Sequence, residues 1–167
     1  MSVTIQEVIT PGKEKAFTVG KSSNASLADL DPIYMQLLEG AVTAALATVN
    51  SKGEPQLTPV WVNHSGELIN LNSVRGRLKD RNMRQNPEVC LMFMNPQNPY
   101  HWMTIWGKVE RVIDEDDPTD GHLATESIDD LAELYLGQRP YPLRDPNGET
   151  RVLYQVRATR IQTFGQP

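Results

Sequence analysis

The residues in this sequence best suited to do chemistry are the cations of a short basic segment. Residues 74–84 read VRGRLKDRNMR, with five cations and a single acid, although the whole chain has a formal net charge of -5. Arginine grips a phosphate through two parallel hydrogen bonds, whereas lysine acts as a compact point charge. Arg77 and Lys79, which are spaced by one residue, therefore suit the terminal phosphate of a ligand.

The position of the basic segment also favours anion binding. It follows a predicted strand that ends at Leu71-Asn72, and it precedes a short helical pattern running toward Asn86-Pro87. The start of a helix presents unpaired N–H groups and the positive end of the helix dipole, which attract anions. Gly76 permits a tight turn into this helix. Cations in the first turn oppose the dipole, and a bound anion would relieve that conflict.

The alternative interpretation is a solvated helix face, with Arg81 and Arg84 pointing to water, because charge runs usually have that role. Polar and aromatic residues near the segment in sequence favour a ligand site instead. They offer amide, hydroxyl and aromatic groups, which together suit a flat heteroaromatic ligand with a charged tail. These candidate residues are Gln56, Thr58, Val60, Trp61, Asn72 and Ser73.

The composition predicts one globular domain without a membrane or nucleic-acid role. The chain has 167 residues, 39% of them hydrophobic and 22% charged, and no apolar run approaches the roughly 20 residues of a spanning helix. The amino-terminal stretch lacks the basic start and apolar run of a secretory signal, which predicts a cytoplasmic protein. The acidic net charge argues against nucleic acid as a partner, since such binding needs an extended basic surface.

Cysteine and histidine usage predicts no metal site. Cys90 is the single cysteine and lies in an apolar run, so we expect a buried, inert thiol. His64, His101 and His122 are far apart in sequence and lack the HxxxH or HExxH spacing that places two imidazoles on one helix face.

The pattern along the chain predicts an N-terminal extension over residues 1–25, as a tail or loosely packed segment, and a single domain over 26–167. Asp31-Pro32 predicts a helix over about 32–39 that ends at Gly40. Pro59 marks an edge, a bulge or a strand end, and Gly107 marks a bulge. Further elements are strands near 42–49, 55–62, 68–72, 88–94, 102–113 and 152–157, and a helix near 120–137. About six short strands with tight turns indicate a closed or partly closed antiparallel barrel.

Three stretches resemble the split β-barrel flavin and deazaflavin oxidoreductases, and more narrowly the F420-dependent subgroup of the pyridoxamine-5'-phosphate-oxidase-like family. They are AALATVNSKGEPQLTPVW, INLNSVRGRLKDRNMRQNPEVCLMF and IWGKVERV. The similarity covers about residues 32–160, and its most specific part is RxKxxN at Arg77, Lys79 and Asn82, followed by Asn86-Pro87. The resemblance implies a mainly β, six-stranded antiparallel split β-barrel of the FMN-binding-protein-like type with flanking helices. It also implies a homodimer with two cofactor sites at the interface.

The resemblance further assigns roles to the candidate residues. Arg77 and Lys79 would hold the phosphate of F420 or FMN, or the acidic tail beyond it, and Asn82 would support that loop. The other six candidates would line the ring and ribityl portion. A glutamate tail would use more of the five cations than one phosphate would, which slightly favours F420. The strand with Trp102 and Trp106 either reaches the site of the other subunit or supplies core and interface aromatics.

These features predict a flavoprotein-like oxidoreductase that passes a hydride to a small unsaturated or carbonyl-containing substrate. No catalytic residue can be named, because a flavin or deazaflavin ring itself carries hydride chemistry. One alternative is a non-enzymatic carrier of a flavin, a deazaflavin or haem. Another is a structural or regulatory dimer whose basic helix contacts an acidic protein face.

Overall fold

The computed structural model describes residues 3–8, 17–18, 22–145 and 148–167, with side chains from residue 26 onward. The three α-helices are α1 (Pro32–Glu39), α2 (Leu78–Gln85) and α3 (His122–Leu136), and a short 3₁₀ helix spans Leu27–Asp29. The strands are β1 (Val3–Val8), β2 (Phe17–Thr18), β3 (Ser22–Ala25), β4 (Ala44–Val49), β5 (Pro55–Val60), β6 (Val62–Ser65), β7 (Leu68–Val74), β8 (Glu88–Met94), β9 (Trp102–Asp114) and β10 (Arg151–Phe164). The fold is therefore mainly β with flanking helices, as the sequence predicts.

Seven antiparallel strands form the main sheet, in the order β5-β4-β8-β9-β10-β7-β6. The predicted count of six is not confirmed, because the strand expected over 55–62 is interrupted at Trp61. On one side of Trp61 the chain pairs with β4, and on the other side it pairs with β7. The edge strands β5 and β6 are thus joined covalently at Trp61 but are not paired with each other in the described sheet. The sheet is open rather than closed.

The described parts of the predicted N-terminal extension over residues 1–25 pair with this sheet. Strand β1 runs parallel to the end of β10, with Thr4 opposite Arg160 and Val8 opposite Phe164. The short strands β2 and β3 pair with β1 in antiparallel fashion. β10 therefore pairs with β7 over its first half and with β1 over its second half.

The core lies on the inner face of the curved sheet, beneath α1. In β4, Ala44, Leu46 and Thr48 are buried, while the alternate residues are half-buried. One face of β4 therefore packs inward, and the other remains accessible to a ligand or a partner. Cys90 is also half-buried rather than buried, and this partial burial raises the pKa of its thiol.

Helix α1 confirms the predicted bounds of 32–39. The side chain of Asp31 accepts a hydrogen bond from the Ile33 N–H at 3.0 Å, and Gly40 follows the last helical residue. Tyr34, Leu37 and Leu38 form the buried side of this helix.

Gly107 allows β9 and β10 to approach closely. A Cβ atom at this position would lie 2.5 Å from Val156 Cγ1 and 2.9 Å from the Arg157 carbonyl oxygen. The predicted bulge lies beside it, as a register shift between Ala158 and Arg160 on β10.

Within the described residues, no helix has both the length and the apolar character needed to cross a membrane.

Candidate functional site

A cavity of about 290 Å³ lies where β5, β7, the start of α2 and one face of α3 meet. It brings together five of the nine candidate residues that the sequence singles out. Its walls are Thr43, Pro59, Val60, Trp61, Asn72, Arg77, Lys79, Ile128, Leu131 and Tyr141. A second cavity of about 260 Å³ shares Thr43 and Pro59 with the first, so the two adjoin along the β4–β5 hairpin, and together they are called the groove.

The basic segment enters this cavity through a tight turn. The Val74 carbonyl accepts a hydrogen bond from the Arg77 N–H at 3.3 Å, and Gly76 has a φ of +82°. A positive φ at the third position is what a type II turn requires, and glycine adopts it without strain. Arg77 is consequently the N-cap residue of α2, and Lys79 lies in its first turn.

Asp80 fixes the turn from inside the protein. This carboxylate is 2% exposed and accepts hydrogen bonds from the Gly76 N–H at 2.7 Å, from Arg84 Nε at 2.6 Å and from the Tyr154 hydroxyl. Burial by itself would raise the pKa of Asp80, but the three hydrogen bonds lower it below its ordinary value. The side chain is therefore a carboxylate at neutral pH.

Three of the five cations are engaged with other parts of the protein. Arg75 contacts Asp114 at 3.1 Å and Asp116 at 2.9 and 2.5 Å. Arg84 contacts Asp114 at 2.5 Å in addition to Asp80. Arg81 donates from Nη1 to the Gly76 carbonyl at 2.6 Å.

Arg77 and Lys79 differ from the other three cations. Within the described part of the chain, neither side chain has an acidic partner or a hydrogen-bond partner, and both line the cavity. Burial lowers the pKa of Lys79, and the neighbouring charge of Arg77 lowers it further. Two cations held together at the positive end of a helix dipole create a site that favours an anion.

Asn72 gives the cavity an unsatisfied acceptor. Its Nδ2 donates to the Ala124 carbonyl at 2.8 Å, which fixes the orientation of the amide. Its Oδ1 is buried and has no partner among the described residues. A buried oxygen without a hydrogen bond costs free energy, so this atom is well placed to accept a hydrogen bond from an N–H group of a bound heterocycle.

Aromatic side chains form one wall of the cavity. The Trp61 ring stacks on Tyr135 with centroids 5.1 Å apart, and Tyr141 meets Trp61 edge-on at 6.2 Å. The Tyr135 hydroxyl donates to the Val42 carbonyl at 2.9 Å and accepts from the Val62 N–H at 3.2 Å. Helix α3 thereby braces the chain where β5 passes into β6.

Four of the predicted residues lie outside the first cavity. Asn82 is 2% exposed and donates to Thr48 Oγ1 at 3.0 Å and to Gln56 Oε1 at 3.3 Å, so it ties α2 to the β4–β5 hairpin. Thr58 lines the second cavity, and its hydroxyl is buried without a described partner. Ser73 is buried next to Asn72 but lines neither cavity.

Sequence reasoning did not predict Thr43, Ile128, Leu131 or Tyr141 as members of this site. The three-residue spacing of Ile128 and Leu131 indicates one apolar helix face, but not which surface that face covers. Trp106 packs against the Arg160 guanidinium at 3.8 Å and lines neither cavity of this chain, so a contact of its strand with the site of a second subunit stays a prediction. No cluster of three potential metal ligands occurs among the described residues.

The family model for pyridoxamine 5'-phosphate oxidase matches residues 30–164. Since this match covers most of the 167 residues, the chain belongs to the pyridoxamine 5'-phosphate oxidase family. The family resemblance inferred from the sequence is therefore confirmed. Among curated proteins, none matches the chain.

Solved structures agree with this family membership. An F420 reductase is 30% identical, with a TM-score of 0.63, and the match covers 79% of this chain and 98% of the reductase. A conserved hypothetical protein from Mycobacterium tuberculosis is 22% identical, with a TM-score of 0.57 and coverage of 74% and 76%. A Listeria innocua protein provisionally assigned as a pyridoxamine 5'-phosphate oxidase is 17% identical, with a TM-score of 0.57 and coverage of 77% and 93%. The last two similarities establish the fold alone.

Proposed function

We propose that this protein is an oxidoreductase that binds F420 or FMN in the groove and transfers a hydride to a small organic substrate. The observation that carries the proposal is the pair Arg77 and Lys79, two cations without acidic partners in the described chain, beside an aromatic wall. Family membership supports a flavin-related oxidoreductase.

The groove fits the chemistry of such a cofactor. Arg77 and Lys79 would hold its phosphate, and Asn72 Oδ1 would accept a hydrogen bond from an N–H of the ring system. Val60 and Trp61 would support the ring face at the break between β5 and β6. When bound, a flavin or deazaflavin supplies the hydride chemistry, so the protein has to orient the ring and exclude water.

The charge distribution leaves the choice of cofactor open. The sequence slightly favours F420, because a glutamate tail would use more of the five cations. Arg75 and Arg84 are paired with Asp114 and other acids, which removes most of that reason. A separate reason for F420 is that the chain is 30% identical to an F420 reductase.

We also propose that the site is completed by a second copy of the chain in a homodimer. The two adjoining cavities lie along the edge strand β5, whose outer edge has no partner among the described strands. Leu57 beside them is 70% exposed on the edge strand β5. Light scattering coupled to size-exclusion chromatography tests the dimer, and a monomer at micromolar concentration contradicts it.

Titration of the purified protein with F420 and with FMN tests the cofactor proposal. We expect at least one of them to bind at micromolar concentration, with quenching of tryptophan fluorescence because Trp61 lines the groove. Failure of both to bind overturns the proposal.

A non-enzymatic carrier is the second candidate function. Among the described cavity-lining residues, Tyr141 is the only titratable side chain besides the two cations, so the groove offers little acid–base chemistry of its own. The two functions differ in the rate at which candidate substrates reoxidise the bound, reduced cofactor. A rate above that of the free cofactor supports the oxidoreductase, and equal rates support the carrier.

A further inference from the structure

The Asp80 carboxylate joins the anion-binding turn to the core through three hydrogen bonds. Its Oδ2 accepts from the Gly76 N–H at 2.7 Å, and its Oδ1 accepts from Arg84 Nε at 2.6 Å and from the Tyr154 hydroxyl. Tyr154 is fully buried on β10, so the carboxylate is fixed to the rigid sheet and not only to its own helix.

Both polar groups of Gly76 are held by side chains of α2. Asp80 binds its N–H, and Arg81 binds its carbonyl at 2.6 Å. Asp80 therefore holds the peptide plane before Gly76, and Arg81 holds the plane between Gly76 and Arg77. Rotation of either plane would change the direction in which Arg77 leaves the backbone, because residue 77 directly follows the glycine.

Asp80 also holds one of the neighbouring cations away from the groove. Arg84 lies between Asp80 and Asp114 and does not line either cavity. Without the carboxylate, Arg84 would lose one of its two acidic partners, and the Gly76 N–H would be free to turn.

We propose that Asp80 is a positioning residue, which fixes the Gly76 turn so that the phosphate is bound by Arg77 and Lys79. The inference rests on the proposed function, because it assigns the groove a ligand with a phosphate group. If Asp80 served only the core, its replacement would lower the stability of the protein but would not change how much the phosphate group contributes to ligand binding.

Tyr154→Phe provides a matched control for Asp80→Ala. Tyr154 lines neither cavity, and removal of its hydroxyl leaves the bonds from Asp80 to Gly76 and Arg84 in place. Both substitutions remove hydrogen bonds at the same buried carboxylate and are expected to destabilise the fold. Only Asp80→Ala removes the hydrogen bond that holds the turn at Gly76.

The experiment measures calorimetric binding of inorganic phosphate to the full chain, and the ratio of riboflavin to FMN dissociation constants. Asp80→Ala is expected to weaken phosphate binding roughly tenfold, the effect of losing about one charge-assisted hydrogen bond, and to lower the riboflavin-to-FMN ratio similarly. Tyr154→Phe is expected to leave both within about twofold of wild type. If Asp80→Ala does not fold, Asp80→Asn replaces it, since an amide cannot accept at both ends and should still weaken phosphate binding.

Each outcome separates this inference from the proposed function. Equal phosphate affinity in wild type and the Asp80 variant overturns the positioning role, as does an equal loss in Tyr154→Phe. Asp80-dependent phosphate binding by a protein that binds neither FMN nor F420 supports the positioning role and overturns the cofactor proposal. If the wild type binds no phosphate and binds riboflavin as tightly as FMN, the positioning role is overturned, whereas the titrations with FMN and F420 decide the cofactor proposal separately.

Discussion

The cations of the basic segment fall into two groups, which differ in whether they have acidic partners. Arg77 and Lys79 line the groove without an acidic partner among the described residues. The two outer cations are paired with acids, Arg75 with Asp114 and Asp116, and Arg84 with Asp114 and the buried Asp80. The cations are neighbours in sequence and carry the same charge. The comparison teaches that the acids brought close by the fold neutralise some cations of a run and not others. The cations that remain without an acidic partner indicate the ligand-binding site.

Replacing both groove cations, Arg77→Ala with Lys79→Ala, should have the largest effect. Each charge-assisted hydrogen bond contributes about 1.5–3 kcal/mol, so the affinity for FMN or F420 should fall roughly 100-fold or more. The free energy of unfolding should not fall, because two cations that repel each other at the positive end of a helix dipole are removed. Isothermal titration calorimetry and urea unfolding measure the two quantities.

The matched control for this double substitution is Arg75→Ala on the outer side. It removes a cation two residues from Arg77 that is paired with Asp114 and Asp116, so cofactor affinity should stay within about threefold of wild type. A loss as large as that of the double substitution would show that the two sides do not differ in function.

Arg84→Ala should give the reverse result, a loss of stability without a loss of affinity. It removes one of the three donors to the buried Asp80 carboxylate, and losing a charge-assisted hydrogen bond of this kind costs about 1.5–3 kcal/mol. Urea unfolding measures the loss, and the cofactor titration should stay near wild type. Unchanged stability would mean that the pair with Asp80 contributes little to the scaffold.

The pH dependence of stability should report on Asp80. Because its pKa in the folded protein is lower than its ordinary value, its contribution to stability is complete above the ordinary value and is lost as the pH falls through the folded value. Between pH 7 and pH 3, Asp80→Asn should lose less unfolding free energy than wild type. Parallel urea titrations at both pH values measure this difference, and identical losses would contradict it.

The smallest effect concerns the glutamate tail of F420. If Arg75 and Arg84 remain with their acids, F420 molecules with short and long tails should bind with affinities within about threefold, a difference below about 0.7 kcal/mol. Fluorescence titration with F420 fractions of defined tail length measures this. An affinity that rises steeply with tail length would mean that the outer arginines exchange their acids for the ligand.

Local patterns predicted much of the fold. The bounds of α1 follow from Asp31, Pro32 and Gly40, and the strand over 88–94 follows from its apolar run. The placement of Arg77 and Lys79 at the start of α2 is also confirmed. Each of these features depends on residues within one turn or one strand, which is the range that sequence patterns describe.

Long-range contacts account for what the sequence could not predict. Asp114 and Asp116, which pair with Arg75, are about forty residues away in sequence, and Tyr154 is 74 residues from Asp80. Pro59 correctly marked an edge strand that ends at Val60, but the change of pairing partner at Trp61, from β4 to β7, is not visible in the strand itself. The acids that divide the basic segment appear only when the sheet is formed.

A crystal structure of the protein with its bound cofactor tests the central claim most directly. The account predicts that the phosphate contacts Arg77 and Lys79, that the ring lies against Val60 and Trp61, and that Arg75 stays with Asp116. A phosphate bound by Arg75 or Arg84, with Arg77 and Lys79 turned to solvent, would contradict it.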